Sequence, residues 1–106
     1  MVGILYHKRV RSGAGQHGKS IKQLERIFKG VAHHYRLSIL FLLAATPGLT
    51  VDAISQQLSI GYMNTSDHLR KLHLGGLVAK KTRGVNVEHR LTKRSEDILL
   101  FCKKLE

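Results

Sequence analysis

The stretch HHYRLSILFLLAATPG, residues 33–48, limits the fold more than any other part of the chain. Leu37, Ile39, Leu40, Phe41, Leu42 and Leu43 leave a helix almost no polar face. A helix apolar nearly all round must be packed on several sides. It is therefore a central helix around which other elements gather. Pro47 stops its hydrogen-bond ladder and Gly48 permits a turn. The apolar run is far shorter than the roughly 20 residues a membrane span needs.

The flanking segments supply partners for that helix. From Ser20, apolar residues recur at three- and four-residue steps: Ile21, Leu24, Ile27, Phe28 and Val31. This is an amphipathic helix, with Ser20 as its cap. LTVDAISQQLSIG reads as a short helix opened by Thr50, with Asp52 in the first turn and Val51, Ile54 and Leu58 on one face. Residues 59–61 make a tight turn. YMNTSDHLRKLHLGG is the next helix, with Thr65, Leu69 and Leu72 facing inward and Gly75 and Gly76 ending it.

The period then changes. Leu77, Ala79, Val85, Val87 and Leu91 alternate, and Arg83 with Gly84 supplies a turn. That predicts a two-stranded hairpin with a basic tip. The last segment, RSEDILLFCKKLE, predicts a helix capped by Ser95, with Ile98, Phe101, Cys102 and Leu105 as its apolar stripe. The expected fold is mainly α with a small β-hairpin: a winged helix-turn-helix of about five helices and a two-stranded wing, in one domain over residues 19–106. The second helix of the turn motif then keeps one face free to fit the major groove of DNA.

Charge points to the same kind of partner. The 106 residues carry 18 Lys and Arg against seven Asp and Glu, a formal +11. Such self-repulsion is most easily relieved by a polyanion. Residues 1–18 contain no acid and read as a flexible basic arm, in which Lys8, Arg9 and Arg11 either enter a minor groove or stay disordered. Within residues 13–20, GAGQHGKS fits the spacing of a phosphate-cradling loop. That loop works only between a buried parallel strand and a helix, and the rest of the chain is spent on the winged helix. The nucleotide-binding alternative is thus disfavoured, and the stretch reads as an arm meeting a helix cap.

No cofactor or metal site is expected. The single cysteine, Cys102, excludes an intrachain disulfide and fits an intracellular, cytoplasmic setting. On the apolar stripe it reads as a buried thiol, since reactivity needs exposure and a lowered pKa. Seven histidines are present, but no two have i, i+4 helical spacing. No nucleophile or paired-carboxylate arrangement indicates an enzyme.

The segments VAHHYRLSILFLLA, LTVDAISQQLSI and SDHLRKLHLGGLVAKKTRGVNVEHRL resemble the ArsR-type, arsenic-repressor-like winged-helix transcriptional regulators. Arg36, Leu37, Ile39 and Leu40 match the run that opens the family's central helix. Ser66, His68, Leu69 and Leu72 match its recognition-helix signature, and Gly76, Leu77 and Val78 match the entry to its wing. The match covers about residues 20–100. It implies a homodimer joined by the first and last helices, bound to a pseudo-palindromic operator, most simply as a repressor. Two departures stand out. The family's Cys-x-Cys metal site is missing from TVDAISQQL, and its Asp and His ligands cannot be placed on the last helix, which has no His. Gly61 also stands where a polar cap is usual.

The candidate DNA-binding residues follow from this layout. On the recognition helix they are Tyr62, Met63, Asn64, Ser66, Asp67, His68, Arg70 and Lys71; on the wing they are Lys81, Arg83, Asn86 and Arg90. Asn64 suits adenine, Arg70 or Lys71 guanine or phosphate, and Tyr62 a phosphate or a thymine methyl. Asp67 either accepts from cytosine N4 or lies off the interface, and His68 either packs or reads a base. A non-specific, chromatin-like DNA-coating protein shares the charge and is the other reading.

Overall fold

The computed structural model describes residues 18–106. The expected elements appear in the expected order. They are α1 (Ile21–Val31), α2 (His34–Ala45), α3 (Val51–Leu58), α4 (Tyr62–Leu74), β1 (Val78–Arg83), β2 (Asn86–Leu91) and α5 (Lys93–Lys104). This order, with an antiparallel β1–β2 pair, is a winged helix-turn-helix. Most of the arm, and with it residues 13–17 of the glycine-rich stretch, lies outside the described residues. Ser20, at the end of that stretch, closes a reciprocal cap on α1. Its Oγ accepts from the Gln23 amide at 3.2 Å, and its own amide donates to Gln23 Oε1 at 2.9 Å.

Helix α2 is the hub. Ile39 and Leu40 are 0% exposed, and Leu43 is buried beside them. The helix packs against α1, α3, α4, β2 and α5. Val31 of α1, Ile54 of α3, Leu69 and Leu72 of α4, Leu77 just before β1, Val78 of β1 and Leu99 of α5 complete the core. The start of α2 has an unforeseen cap. His33 Nδ1 accepts from the Tyr35 amide at 3.1 Å, standing in for the usual Ser or Asp oxygen.

The turn between α3 and α4 runs through Ser59, in the left-handed region at φ 55°, and Gly61. Gly61 caps α4 without a side-chain bond. Thr65 compensates from inside the helix: its buried hydroxyl donates to the Gly61 carbonyl at 3.0 Å. Gly76 then reverses the chain at φ 73°. Here Arg94 Nη1 donates to the Gly75 carbonyl at 2.8 Å, tying the end of α4 to the start of α5.

Three details depart from the sequence-based expectation. First, α5 is capped by Thr92, not Ser95. Thr92 Oγ1 accepts from the Ser95 amide at 3.3 Å, while the buried Ser95 hydroxyl accepts from the Thr92 amide at 2.9 Å. Second, α5 buries Leu99; Ile98 and Cys102 are half-buried, and Phe101 and Leu105 are exposed. Third, the hairpin does not follow simple apolar alternation. Leu77 and Val78 are both buried, while Ala79, Val85 and Val87 are exposed. The fully buried residue of β2 is His89, at 1% exposure.

His89 is buried because it fastens the ribbon to the body. Its amide donates to the Leu49 carbonyl at 3.0 Å, its carbonyl accepts from the Gly48 amide at 2.9 Å, and its Nδ1 lies 2.9 Å from the same Leu49 oxygen. The loop after α2 thus pairs with β2 as a short third edge.

Gly76→Ala is expected to destabilise the fold by about 1–2 kcal/mol, the cost of a left-handed φ in an L-residue. The added Cβ would also fall 2.9 Å from Arg94 Nη1. Urea unfolding of the variant measures this. Burial holds the His89 imidazole below its ordinary pKa of 6.5, against the raising effect of its bond to Leu49. The unfolded chain therefore binds the proton more readily, and the stabilisation present above pH 6.5 is lost as pH falls. The urea midpoint is expected to be lower at pH 5.5 than at pH 7.5.

Candidate nucleic-acid interface

The inward face of α4 is set by Thr65, Leu69 and Leu72, spaced by four and three residues and all buried. The opposite face is left to solvent. Tyr62 is 53% exposed and Met63 77% exposed, and Asn64, Arg70 and Lys71 are exposed as well. Ser66 and Asp67 lie half-buried at its margin. A helix held by one apolar stripe, with a polar outer face, has the form needed to enter a groove.

Charge on this face is internally arranged. Asp67 pairs with Arg70 Nη2 at 2.8 Å and with Lys71 Nζ at 3.1 Å. The side-chain bonds from Arg70 and then Lys71 hold the Asp67 carboxyl below its ordinary range. One acid thus bridges two bases, leaves the trio net positive and restricts both cations near the middle of the helix.

The ribbon springs from the end of α4. β1 packs against α4, and His73 Nδ1 lies 3.0 Å from the Val78 carbonyl. Its register pairs Arg83 with Asn86, Lys81 with Glu88 and Ala79 with Arg90. Directly paired residues share a face of a sheet. Lys81, Arg83, Asn86 and Arg90 therefore lie on one face, with Glu88 among them. Glu88 Oε1 is 3.6 Å from Arg83 Nε and 3.5 Å from Arg90 Nη2. The four residues are not one cluster at the tip. Arg83 and Asn86 flank the two-residue turn, where Gly84 takes φ 60°. Arg90 sits at the root, beside Gly48 and the cleft between α2 and α5.

His68 is set apart from the other candidates. It is half-buried, and its Nδ1 accepts from Arg36 Nε at 3.2 Å. Arg36 also donates from Nη1 to the Gly30 carbonyl of α1 at 3.1 Å. The His68 ring lies 4.6 Å from that of His33 and 5.8 Å from that of Tyr35. Burial first, then the His33 and Arg36 charges, hold its pKa below 6.5, with Asp67 opposing them. The Arg36–His68 bond spans 32 residues of sequence, so no local pattern announces it. Cys102 is half-buried. Among the described residues, no group of three or more His, Cys, Asp or Glu is placed to hold a metal ion. No helix there is long and apolar enough to cross a membrane.

A core-held helix with an outward polar face, followed by a charged ribbon, defines the winged helix-turn-helix class. Solved structures place the chain within it, beside the ArsR-like regulators it resembles in sequence. One is the homodimeric winged helix-turn-helix DNA-binding domain Mb0332 of Mycobacterium bovis, a possible ArsR-family transcriptional regulator. It is 26% identical, with a TM-score of 0.75 over 90% of this chain and 83% of that one. HlyU from Vibrio cholerae is 25% identical, with a TM-score of 0.71 over 79% of this chain and 91% of that one. The transcriptional repressor PagR of Bacillus anthracis shares the fold at 24% identity and a TM-score of 0.69, over 77% and 94%. No family model matches the chain, and no curated protein matches it.

The Asp67 bridge can be checked directly. In a carbon-13 NMR titration the Asp67 carboxyl is expected to titrate below an ordinary aspartate. The Arg70→Gln, Lys71→Gln double variant is expected to bring it back up, because both hydrogen-bond donors to the carboxylate are then neutral.

Proposed function

We propose that this chain is a sequence-specific DNA-binding transcriptional regulator that acts as a homodimer, without catalytic activity. The observation that carries the reading is the outward polar face of α4, beside a ribbon whose Lys80, Lys81 and Arg83 are exposed. Tyr62, Asn64, Arg70 and Lys71 read or position on base edges and nearby phosphates, and Met63 offers apolar contact to a thymine methyl. Lys81, Arg83 and Asn86 meet the backbone near the wing tip. Ser66 and Arg90 contribute at the margins. Asp67 acts by holding Arg70 and Lys71, and His68 by packing.

The dimer is supported by apolar side chains left without cover in the single chain. Ile21 and Phe28 of α1 are 43% and 56% exposed, and Phe101 of α5 and Leu105 at its C-terminal cap are 52% and 69% exposed. Ile21 and Phe28 lie seven residues apart on one helical face, and Phe101 and Leu105 four apart. Joining two copies through these helices sets two recognition helices on one side. They then enter successive major grooves about 34 Å apart. A dimer seated so at a promoter excludes polymerase, which makes it a repressor. The description of Mb0332 as homodimeric and of PagR as a repressor agrees with this assignment.

The formal charge of +11 also suits a non-specific DNA-coating protein. Selection of bound duplexes from a random pool separates the two. A regulator returns a pseudo-palindrome with a fixed half-site spacing, and a coating protein returns no consensus. Lys71→Ala and Arg83→Ala are each expected to weaken binding of the selected duplex and to reduce the salt-dependence slope by about one unit. Unchanged titrations for both variants would count against the interface.

A further inference from the structure

The contacts around His68 join three elements through two imidazole lone pairs. His33 Nδ1 accepts the Tyr35 amide that starts α2, and His68 Nδ1 accepts Arg36 Nε. The other arm of Arg36 holds the Gly30 carbonyl near the end of α1. A neutral imidazole with its proton on Nε2 can accept at Nδ1, whereas an imidazolium cannot. Protonating His33 removes the cap of α2, and protonating His68 sets its N–H against Arg36 and places two cations in contact.

We propose that Arg36, His68 and His33 form a proton-operated latch between α1 and the recognition helix, closed when both imidazoles are neutral and opened by acid, with loss of DNA affinity. Arg36 and His68 are positioning residues in this scheme, setting the seat of α4 rather than reading bases. The effect on affinity rests on the DNA-binding reading; the latch itself does not.

The surroundings favour the closed, neutral state at neutral pH. Facing the two rings are His34, Tyr35 and Arg36 from α2, and Asp67 and Lys71 from α4; α1 brings the uncharged Gly30 carbonyl. Asp67 is the one acid among them, and it is committed to Arg70 and Lys71. Desolvation, then His34, Arg36 and Lys71, hold His33 below its ordinary pKa, and His68 is lowered likewise. The latch is therefore closed above pH 6.5 and opens as pH falls below it.

Two measurements test the latch, one free of DNA. In imidazole nitrogen-15 NMR of the free protein, both rings are expected to be neutral at pH 7.5 with the proton on Nε2, and to titrate below 6.5. Backbone amides of α4 are expected to shift along the His68 titration. Affinity for the selected duplex at fixed ionic strength is expected to fall about tenfold from pH 7.5 to 5.5, the scale of one hydrogen bond involving a charged group. The His33→Asn, His68→Asn double variant keeps an acceptor at each place and cannot titrate there. Whatever its affinity at pH 7.5, it is expected to change less than about twofold from there to pH 5.5, well short of the tenfold loss expected of wild type. Simple charge accumulation gives the opposite sign, since protonation adds positive charge facing a polyanion. The latch is overturned by α4 amides that ignore the His68 titration, by wild-type affinity that holds or rises in acid, or by a double variant as acid-sensitive as wild type. If no duplex binds at pH 7.5, the regulator reading fails and the NMR titration alone decides the latch.

Discussion

Burial of α2 on several sides is the constraint on which the rest of the structure depends. Ile39 and Leu40 reach no solvent, and five other elements pack against the helix that carries them. An apolar helix of this kind cannot be left at a surface without exposing a large hydrophobic area, at roughly 25 cal/mol per Å². Each neighbour therefore turns its own apolar stripe inward, and for α4 that choice turns Tyr62, Asn64, Arg70 and Lys71 outward. The exposed polar face of α4 follows from the core.

Much of this was legible in the sequence because it is written in local period and local capping. Ser20 and Thr50 cap as expected, and the i, i+4, i+7 spacing of Thr65, Leu69 and Leu72 identifies the buried side of α4. The errors fall where long-range contacts outvote local pattern. Thr92 and Ser95 can both cap a helix; the choice fell to Thr92, whose hydroxyl also donates to the Gly76 carbonyl at 2.7 Å from 16 residues away. His89 falls in step with Val87 and Leu91, but only it is fully buried, because the loop after α2 pairs with it. Phe101 and Leu105 lie on the apolar stripe expected of the last helix but are exposed in the single chain, because apolarity alone does not say which of a stripe's residues the chain's own core covers.

The candidate site was half legible for the same reason. The exposed cations of α4 and the wing follow from helix and strand periodicity. The role of Arg36 does not. In sequence it is one residue in the first turn of α2, yet in space it spans from α1 to α4. Glu88 was likewise unremarkable in sequence, and the register sets it between Arg83 and Arg90, where it limits how far two of the wing cations can wander.

The pairing of Leu49 with His89 reaches beyond folding. A hairpin joined to its domain at one end only would sample many directions, and a partner would have to freeze them. Here the ribbon is fixed at Val78 by the end of α4 and again at His89 by the loop after α2. A partner docking on both α4 and the ribbon would then cost the protein little conformational entropy, because the two present themselves as one rigid jaw.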